Sequence, residues 1–136
     1  DTEYLWAPTI LPISIGVALW IAAFDINYAR MDVESDREQG IHSFPSNFGE
    51  RATTRTTVLL SLLWFACFAF AEPVDGLWFL VAAASMALAN IYVVLRMERF
   101  DDFQTVLFRV SMLTGWILLA SLVIGFGFEQ AATGLD

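Results

Sequence analysis

Lysine is missing from this chain of 136 residues, and its seven basic residues are all Arg. There is one Cys, Cys67, and one His, His42. A single Cys cannot close an internal disulfide, which excludes a disulfide-held scaffold and says little about redox compartment. Charged residues make up only 16% of the chain, and the balance is acidic, with a formal net charge of −8. A phosphate backbone repels such a surface unless a metal ion stands between, so a basic nucleic-acid binder is excluded. What the chain has in abundance is apolar surface: 57% hydrophobic residues, 15% aromatic, and a mean hydropathy of +0.61. Such a composition excludes a disordered tail.

Four charge-free runs, at 4–24, 56–71, 76–95 and 110–128, locate candidate membrane spans. A helix crosses the hydrocarbon core with roughly 20 residues. Three runs reach that length directly. The second is short and is expected to extend through Ala52, Thr53 and Thr54. The pattern predicts an all-α, polytopic transmembrane helical bundle, a single domain over 1–136 with spans near 4–24, 53–71, 76–95 and 108–128. A large helical bundle in water would carry a polar face on each helix, and these runs carry almost none. No short basic region precedes the first run, which argues against a signal peptide.

Arg30, Arg37, Arg51 and Arg55 fall in the link between spans one and two, and Arg96, Arg99 and Arg109 in the link between three and four. The N-terminal stub, the link at 72–75 and the tail have none. The positive-inside rule then places both Arg-bearing links in the cytoplasm and both chain ends outside, in a protein of the cell membrane. Tyr4, Trp6, Trp78 and Phe128 are expected at the outer interface, where aromatic belts form. Glu72, Pro73, Val74, Asp75 and Gly76 read as the turn of an antiparallel helical hairpin. The sequence begins at Asp1 rather than Met, as a processed product or a piece of a longer chain would.

The chemistry is concentrated between Asp25 and Gly49. Asp25, Tyr28, Asp32 and Asp36 follow one another at helical spacing and share a narrow stripe if one helix continues through them. Glu34 then points nearly the opposite way, and Arg30 and Arg37 lie together on a flank. Gly40 is expected to end the helix, and Pro45 to stop it from resuming at once. Three carboxylates on one stripe repel one another, and a membrane edge worsens this by desolvation. A cation relieves the repulsion, and all-oxygen donors suit Mg²⁺ or Ca²⁺ rather than zinc. Mg²⁺ takes one or two carboxylates and completes its shell with water and phosphate oxygens. Arg side chains can hold the remaining phosphate charge. The stripe therefore reads as a site for a metal-bridged phosphate or diphosphate. The competing reading is a solvated acidic loop beside a helix end.

These residues also carry a resemblance. Asp25-x-x-Tyr28-Ala29-x-x-Asp32-x-x-x-Asp36, followed by Arg37-Glu38-x-Gly40-Ile41-His42-Ser43 and Phe48-Gly49, resembles the second Asp-rich motif of the UbiA superfamily of membrane prenyltransferases. The match is closest to members that prenylate 4-hydroxybenzoate. The resemblance implies nine transmembrane helices around a central cavity, the four spans here being similar to helices six to nine. The family's first Asp-rich motif is absent, and Asp101-Asp102 does not replace it. The chain is thus similar to the C-terminal half of such an enzyme, and by itself is expected to be inactive unless another polypeptide supplies the rest.

The function implied is Mg²⁺-dependent transfer of a polyprenyl group from polyprenyl diphosphate to an aromatic acceptor such as 4-hydroxybenzoate in quinone biosynthesis. Asp32 and Asp36 are then the metal ligands, with Asp25 a third ligand or an acid behind them. Tyr28 contacts a diphosphate oxygen or orients a carboxylate, unless it merely packs at the interface. Arg30 and Arg37 contact the diphosphate, unless they serve only topology. Asn27 is a candidate lining residue, and His42 a candidate general base or a plain loop residue. Asn90, polar within span three, is expected to face other helices. Cys67 is expected in the core at lipid depth. Ser85, Ser111, Thr114 and Ser121 can bond back to their own helices.

Two rivals come from other classes. An alcohol phosphotransferase acting on a nucleotide-activated lipid opens with Asp-Gly-x-x-Ala-Arg. Asp25 and Ala29-Arg30 fit that opening, but Ile26 stands at the Gly, and Ser43 and Asn47 stand where later aspartates belong. A divalent-cation-binding transporter or structural membrane subunit can carry an acidic mouth. It predicts acids continuing into the spans, where none occurs.

Overall fold

A computed structural model describes the backbone of residues 2–74 and 76–134 and the side chains of 8–74 and 76–131. All its described elements are helical: α1 (Thr2–Tyr28), a 3-10 turn (Ala29–Asp32), α2 (Val33–Glu38), α3 (Phe44–Ala71), α4 (Trp78–Leu95), a second 3-10 turn (Met97–Arg99) and α5 (Phe103–Gly134). Four segments are long and apolar enough to cross a membrane: Pro8–Glu38, Phe44–Ala71, Trp78–Leu95 and Phe103–Ala131. Leu88, Phe70, Trp116 and Val123 present most of their surface outward. Exposed apolar side chains around a whole bundle fit lipid as the solvent. The fold is an all-α membrane bundle, as the hydropathy predicts.

The helices pack in a chain of neighbours, α1 on α3, α3 on α4 and α4 on α5, with a light contact of α1 to α5. Trp64 and Phe68 of α3 and Phe79, Ala83 and Met86 of α4 form the central cluster. A second cluster of Val93, Val94, Phe103 and Leu107 fills the junction of α4 and α5. Lipid tails are as apolar as Leu, so close packing and polar contacts must select which helices meet. Asn90 supplies one such contact. Its Nδ2 donates to Thr114 Oγ1 at 2.9 Å, joining α4 to α5. Thr114 and Ser121 bond back to Val110 and Leu118 carbonyls, as expected. Ser111 does not: its Oγ is buried without a partner. Cys67 is half-buried.

At the α3–α4 turn, Glu72 and Gly76 have positive φ and Val74 is buried. Asp75 lies outside the described residues, as do the side chains of Tyr4 and Trp6. Trp78 and Phe128, at the start of α4 and near the end of α5, stack with centroids 5.4 Å apart and planes 6° from parallel.

Two expectations about the first link need correction. The helix does not run unbroken from Asp25 to Asp36, because a 3-10 turn at Ala29–Asp32 intervenes. That winding advances about 120° per residue instead of 100°, so the α-helical stripe does not carry through it. Nor does Pro45 delay the next helix. It sits in the first turn of α3, where its missing N–H has no role and its fixed φ suits the helix. Helix α3 therefore begins at Phe44, well before the charge-free run. It is kinked at Gly49, whose φ of 86° and ψ of 174° are non-helical.

Candidate functional site

The site is built on the two helix ends that flank residues 39–43. Helix α2 stops in a left-handed cap. Gly40 has φ +70°, its N–H reaches Arg37 O at 3.3 Å, and Ile41 N–H reaches Asp36 O at 2.8 Å. This pair of bonds is the Schellman arrangement, which favours Gly at the first position past the helix. Helix α3 opens on Ser43. Ser46 N–H donates to Ser43 Oγ, and Ser43 N–H donates to Ser46 Oγ at 2.9 Å, a reciprocal cap of the capping-box kind. The Gly-x-x-Ser run thus closes one helix and starts the next.

The acidic residues face outward. Asp25 and Asp32 are exposed and Asp36 is half-buried. None of these side chains makes an ion pair among the described residues, where the one pair within 4.0 Å is Arg96–Glu98 at 3.9 Å. Tyr28 ends α1, exposed, with its ring stacked on Phe24 at 5.4 Å. His42 Nδ1 lies 3.1 Å from Asn47 Oδ1, on the surface. Arg37 Nε donates to Ser46 O at 3.1 Å and ties α2 to the start of α3.

Arg30 is the exception to this exposure. It is 5% exposed, and each of its three guanidinium nitrogens has a partner inside the bundle. Nε donates to Asn27 Oδ1 at 2.9 Å, Nη2 to Thr54 Oγ1 at 2.7 Å, and Nη1 points at Met97 Sδ at 3.4 Å. Asn27, 1% exposed, donates through Nδ2 to Ala23 O and to Thr57 Oγ1, both at 2.6 Å. Arg30 and Arg37 therefore do not share one flank: one is buried and the other exposed. The contact with Met97 also shows that both Arg-bearing links lie at the same end of the bundle.

Oxygen donors that are exposed and unpaired suit a hard cation such as Mg²⁺, which needs only one or two carboxylates from a protein. The three aspartates do not form a cluster, however. No group of three or more His, Cys, Asp or Glu converges among the described residues. Asp25 lies on α1, while Asp32 and Asp36 follow on the far side of the 3-10 turn.

Beside Tyr28 an open groove of about 430 Å³ runs between α1 and α5, lined also by Gln104, Thr105, Phe108 and Arg109. Phe108 is shared with a second, apolar groove of about 240 Å³ formed by Trp20, Ile21, Phe24, Ser111 and Met112. The two make a surface that is polar at one end and greasy along the other.

The model of the UbiA prenyltransferase family matches residues 2–113. The chain belongs to the UbiA prenyltransferase family. No curated protein and no solved structure gives a significant match. Membership makes prenyl transfer the general activity and lipid-linked substrates the general partners of this integral membrane fold.

Sequence reasoning missed two parts of this candidate site in the UbiA-family chain. The groove beside Tyr28 needs α5 alongside α1, and Arg109 gave no signal beyond its place in a basic link. The inward turn of Arg30 had a faint signal, since Asn27 precedes it by three residues and Thr54 and Thr57 are three apart on α3.

Proposed function

We propose that this protein transfers a polyprenyl group from polyprenyl diphosphate to an electron-rich aromatic acceptor such as 4-hydroxybenzoate, in quinone biosynthesis, with Mg²⁺. The observation that carries the reading is the amphipathic groove lined by Tyr28, which lies three residues after Asp25 in the chain segment that also carries the unpaired Asp32 and Asp36. Such a groove matches a ligand with a charged head and a long apolar tail. The Arg bias supports a cytoplasmic side for this end, with the chain ends outside.

Asp32 and Asp36 are the carboxylates that would hold Mg²⁺, and Asp25, on α1, stands apart from them. When bound, the ion neutralises charge that develops on the diphosphate. Arg37, exposed beside the loop, supplies a charge-assisted hydrogen bond to a diphosphate oxygen. Tyr28 supplies a phenolic hydrogen bond at the mouth of the groove. Arg30, turned inward, fixes the end of α1 rather than reaching the diphosphate. The allylic C–O bond breaks with its electron pair leaving on the diphosphate. A ring carbon of the acceptor attacks the resulting cation, forming the C–C bond and then losing its proton. Phe24 and Phe108 offer π faces to the cation, and the apolar groove keeps water from capturing it. His42 is a candidate acceptor for the acceptor's phenolic proton. Residues 1–136 carry one Asp-rich motif, so the second half of the metal site is to be supplied from elsewhere.

The test is a transfer assay on membranes containing the complete gene product, with labelled polyprenyl diphosphate, 4-hydroxybenzoate and Mg²⁺, and Asp32→Asn as control. Transfer in the wild type alone supports the reading. Diphosphate release without ring prenylation replaces the acceptor. No turnover with any acceptor removes the reading.

A further inference from the structure

Helices α1 and α5 touch only lightly, and both open grooves lie between them. Trp20, Phe24 and Tyr28 border the grooves from α1, and Gln104, Phe108 and Met112 from α5. Each set repeats every four residues, so each is one helix face. Phe108 borders both grooves, which makes them successive stretches of a single seam. From Tyr28 to Trp20 the seam follows α1 for about 12 Å.

Charge divides along this seam. Among the described residues the apolar stretch is bordered by no charged side chain, and the stretch beside Tyr28 by one, Arg109. Arg109 is exposed and makes no ion pair among the described residues. Asp102 feels its charge, but the two Asp102 oxygens accept from the N–H and the hydroxyl of Thr105. The residues of the groove that retain donors are therefore Arg109, Gln104 and Tyr28. A guanidinium is a planar fork that matches phosphate oxygens two at a time. Beside an apolar surface water screens it less, which strengthens its pull on an anion.

The apolar continuation selects the anion. A small free anion would leave the stretch from Phe24 to Met112 unfilled, whereas an anionic head on a long apolar chain covers both stretches. We propose that Arg109 binds the diphosphate of the prenyl donor, whose chain lies along the α1–α5 seam towards Trp20 and Met112. The inference rests on the prenyl-transfer reading and adds to it a diphosphate contact from α5, outside the acidic segment. Gln104 and Tyr28 donate to further oxygens of the same head. A contact made both before and during cleavage of the allylic C–O bond acts on donor binding, so its loss raises the donor KM more than it lowers kcat.

The test uses the complete gene product in nanodiscs of zwitterionic lipid. Two quantities are measured: equilibrium binding of an unreactive prenyl thiolodiphosphate, and the KM values for prenyl donor and aromatic acceptor. Arg109→Gln is expected to weaken analogue binding and raise the donor KM by about tenfold to a hundredfold, with the acceptor KM and the thermal midpoint unchanged. Arg109→Lys, which keeps the charge without the fork, should recover part of the loss. Phe108→Ala should weaken a long-chain analogue more than a five-carbon one. Unchanged analogue binding in Arg109→Gln, a rise in the acceptor KM alone, or equal losses for long and short chains in Phe108→Ala overturns the proposal. So does a variant that keeps donor affinity but no longer binds an added anionic phospholipid, since the groove then belongs to membrane lipid. A wild type that binds no analogue defeats the prenyl-transfer reading itself, and this inference with it.

Discussion

Arg30 Nε donates to Asn27 Oδ1 at 2.9 Å, and the pair is held inside the bundle by Thr54 and Thr57 of α3. An arginine that the sequence offers to a diphosphate is spent on joining two helices. Arg30→Ala leaves Asn27 Oδ1 and Thr54 Oγ1 without their donor. It is expected to cost about 2–3 kcal/mol of stability, read as a lowered thermal midpoint in nanodiscs. Arg30→Lys keeps the charge but not the planar fork, and should recover only part. A normal midpoint with a raised KM for the prenyl donor in Arg30→Ala would make it a substrate contact.

Asp32 and Asp36 behave oppositely. Their carboxylates take part in no ion pair among the described residues, so Asp32→Asn and Asp36→Asn should change stability by less than about 0.5 kcal/mol. In the complete gene product, turnover should fall by about a hundredfold or more in each, the scale on which charge-stabilising groups act. Chelation of Mg²⁺ should abolish turnover, and Mg²⁺ should restore it. Either variant retaining full turnover, or activity surviving exhaustive chelation, overturns the ligand assignment.

Gly49 marks the kink of α3, with φ 86° and ψ 174°, a region that is essentially glycine's alone. No neighbouring atom would meet a Cβ there, so the penalty of Gly49→Ala is backbone strain and not a clash. A destabilisation of about 1–3 kcal/mol is expected. Circular dichroism melts of wild type and variant in the same lipid check it.

Asn90→Leu breaks the link to Thr114 and leaves that hydroxyl with its own-helix bond to Val110. Interhelical hydrogen bonds in membranes are worth roughly 0.6–2 kcal/mol. The loss should be of that size, and Thr114→Val should add little more in the double variant. A fully additive double variant would show that the two side chains act separately.

Asp102 lies just before α5. Its carboxylate accepts from Thr105 Oγ1 at 2.6 Å and Thr105 N–H at 3.2 Å. The Thr105 hydroxyl and then its backbone N–H lower the Asp102 pKa, with Arg109 adding to them against a small opposing desolvation. A lowered folded pKa means a contribution that is complete above the unfolded carboxylate range. That contribution is lost as pH falls through the folded pKa. Asp102→Ala should therefore destabilise the protein at neutral pH and converge on the wild type in acid, as thermal midpoints against pH will show.

Much of this architecture is local in origin and so legible in the residues. Long apolar runs specify the spans because each backbone group must be satisfied within its own helix in lipid. Gly40 ends α2 because only a residue free of a Cβ takes the left-handed cap without strain. The division of all seven Arg between the first and third links is read from their positions in the sequence, and the Arg30–Met97 contact places both basic links at one end of the bundle. What the chain by itself did not determine depends on distant partners. Whether a charged residue beside a helix end turns inward, as Arg30 does, or outward, as Asp32 does, is decided by Thr54, Thr57 and Met97. The 3-10 turn that breaks the acidic stripe and the groove that joins Tyr28 to Arg109 are likewise tertiary features. Periodicity fixes the faces of a single helix, whereas a site assembled between helices depends on which of those faces meet.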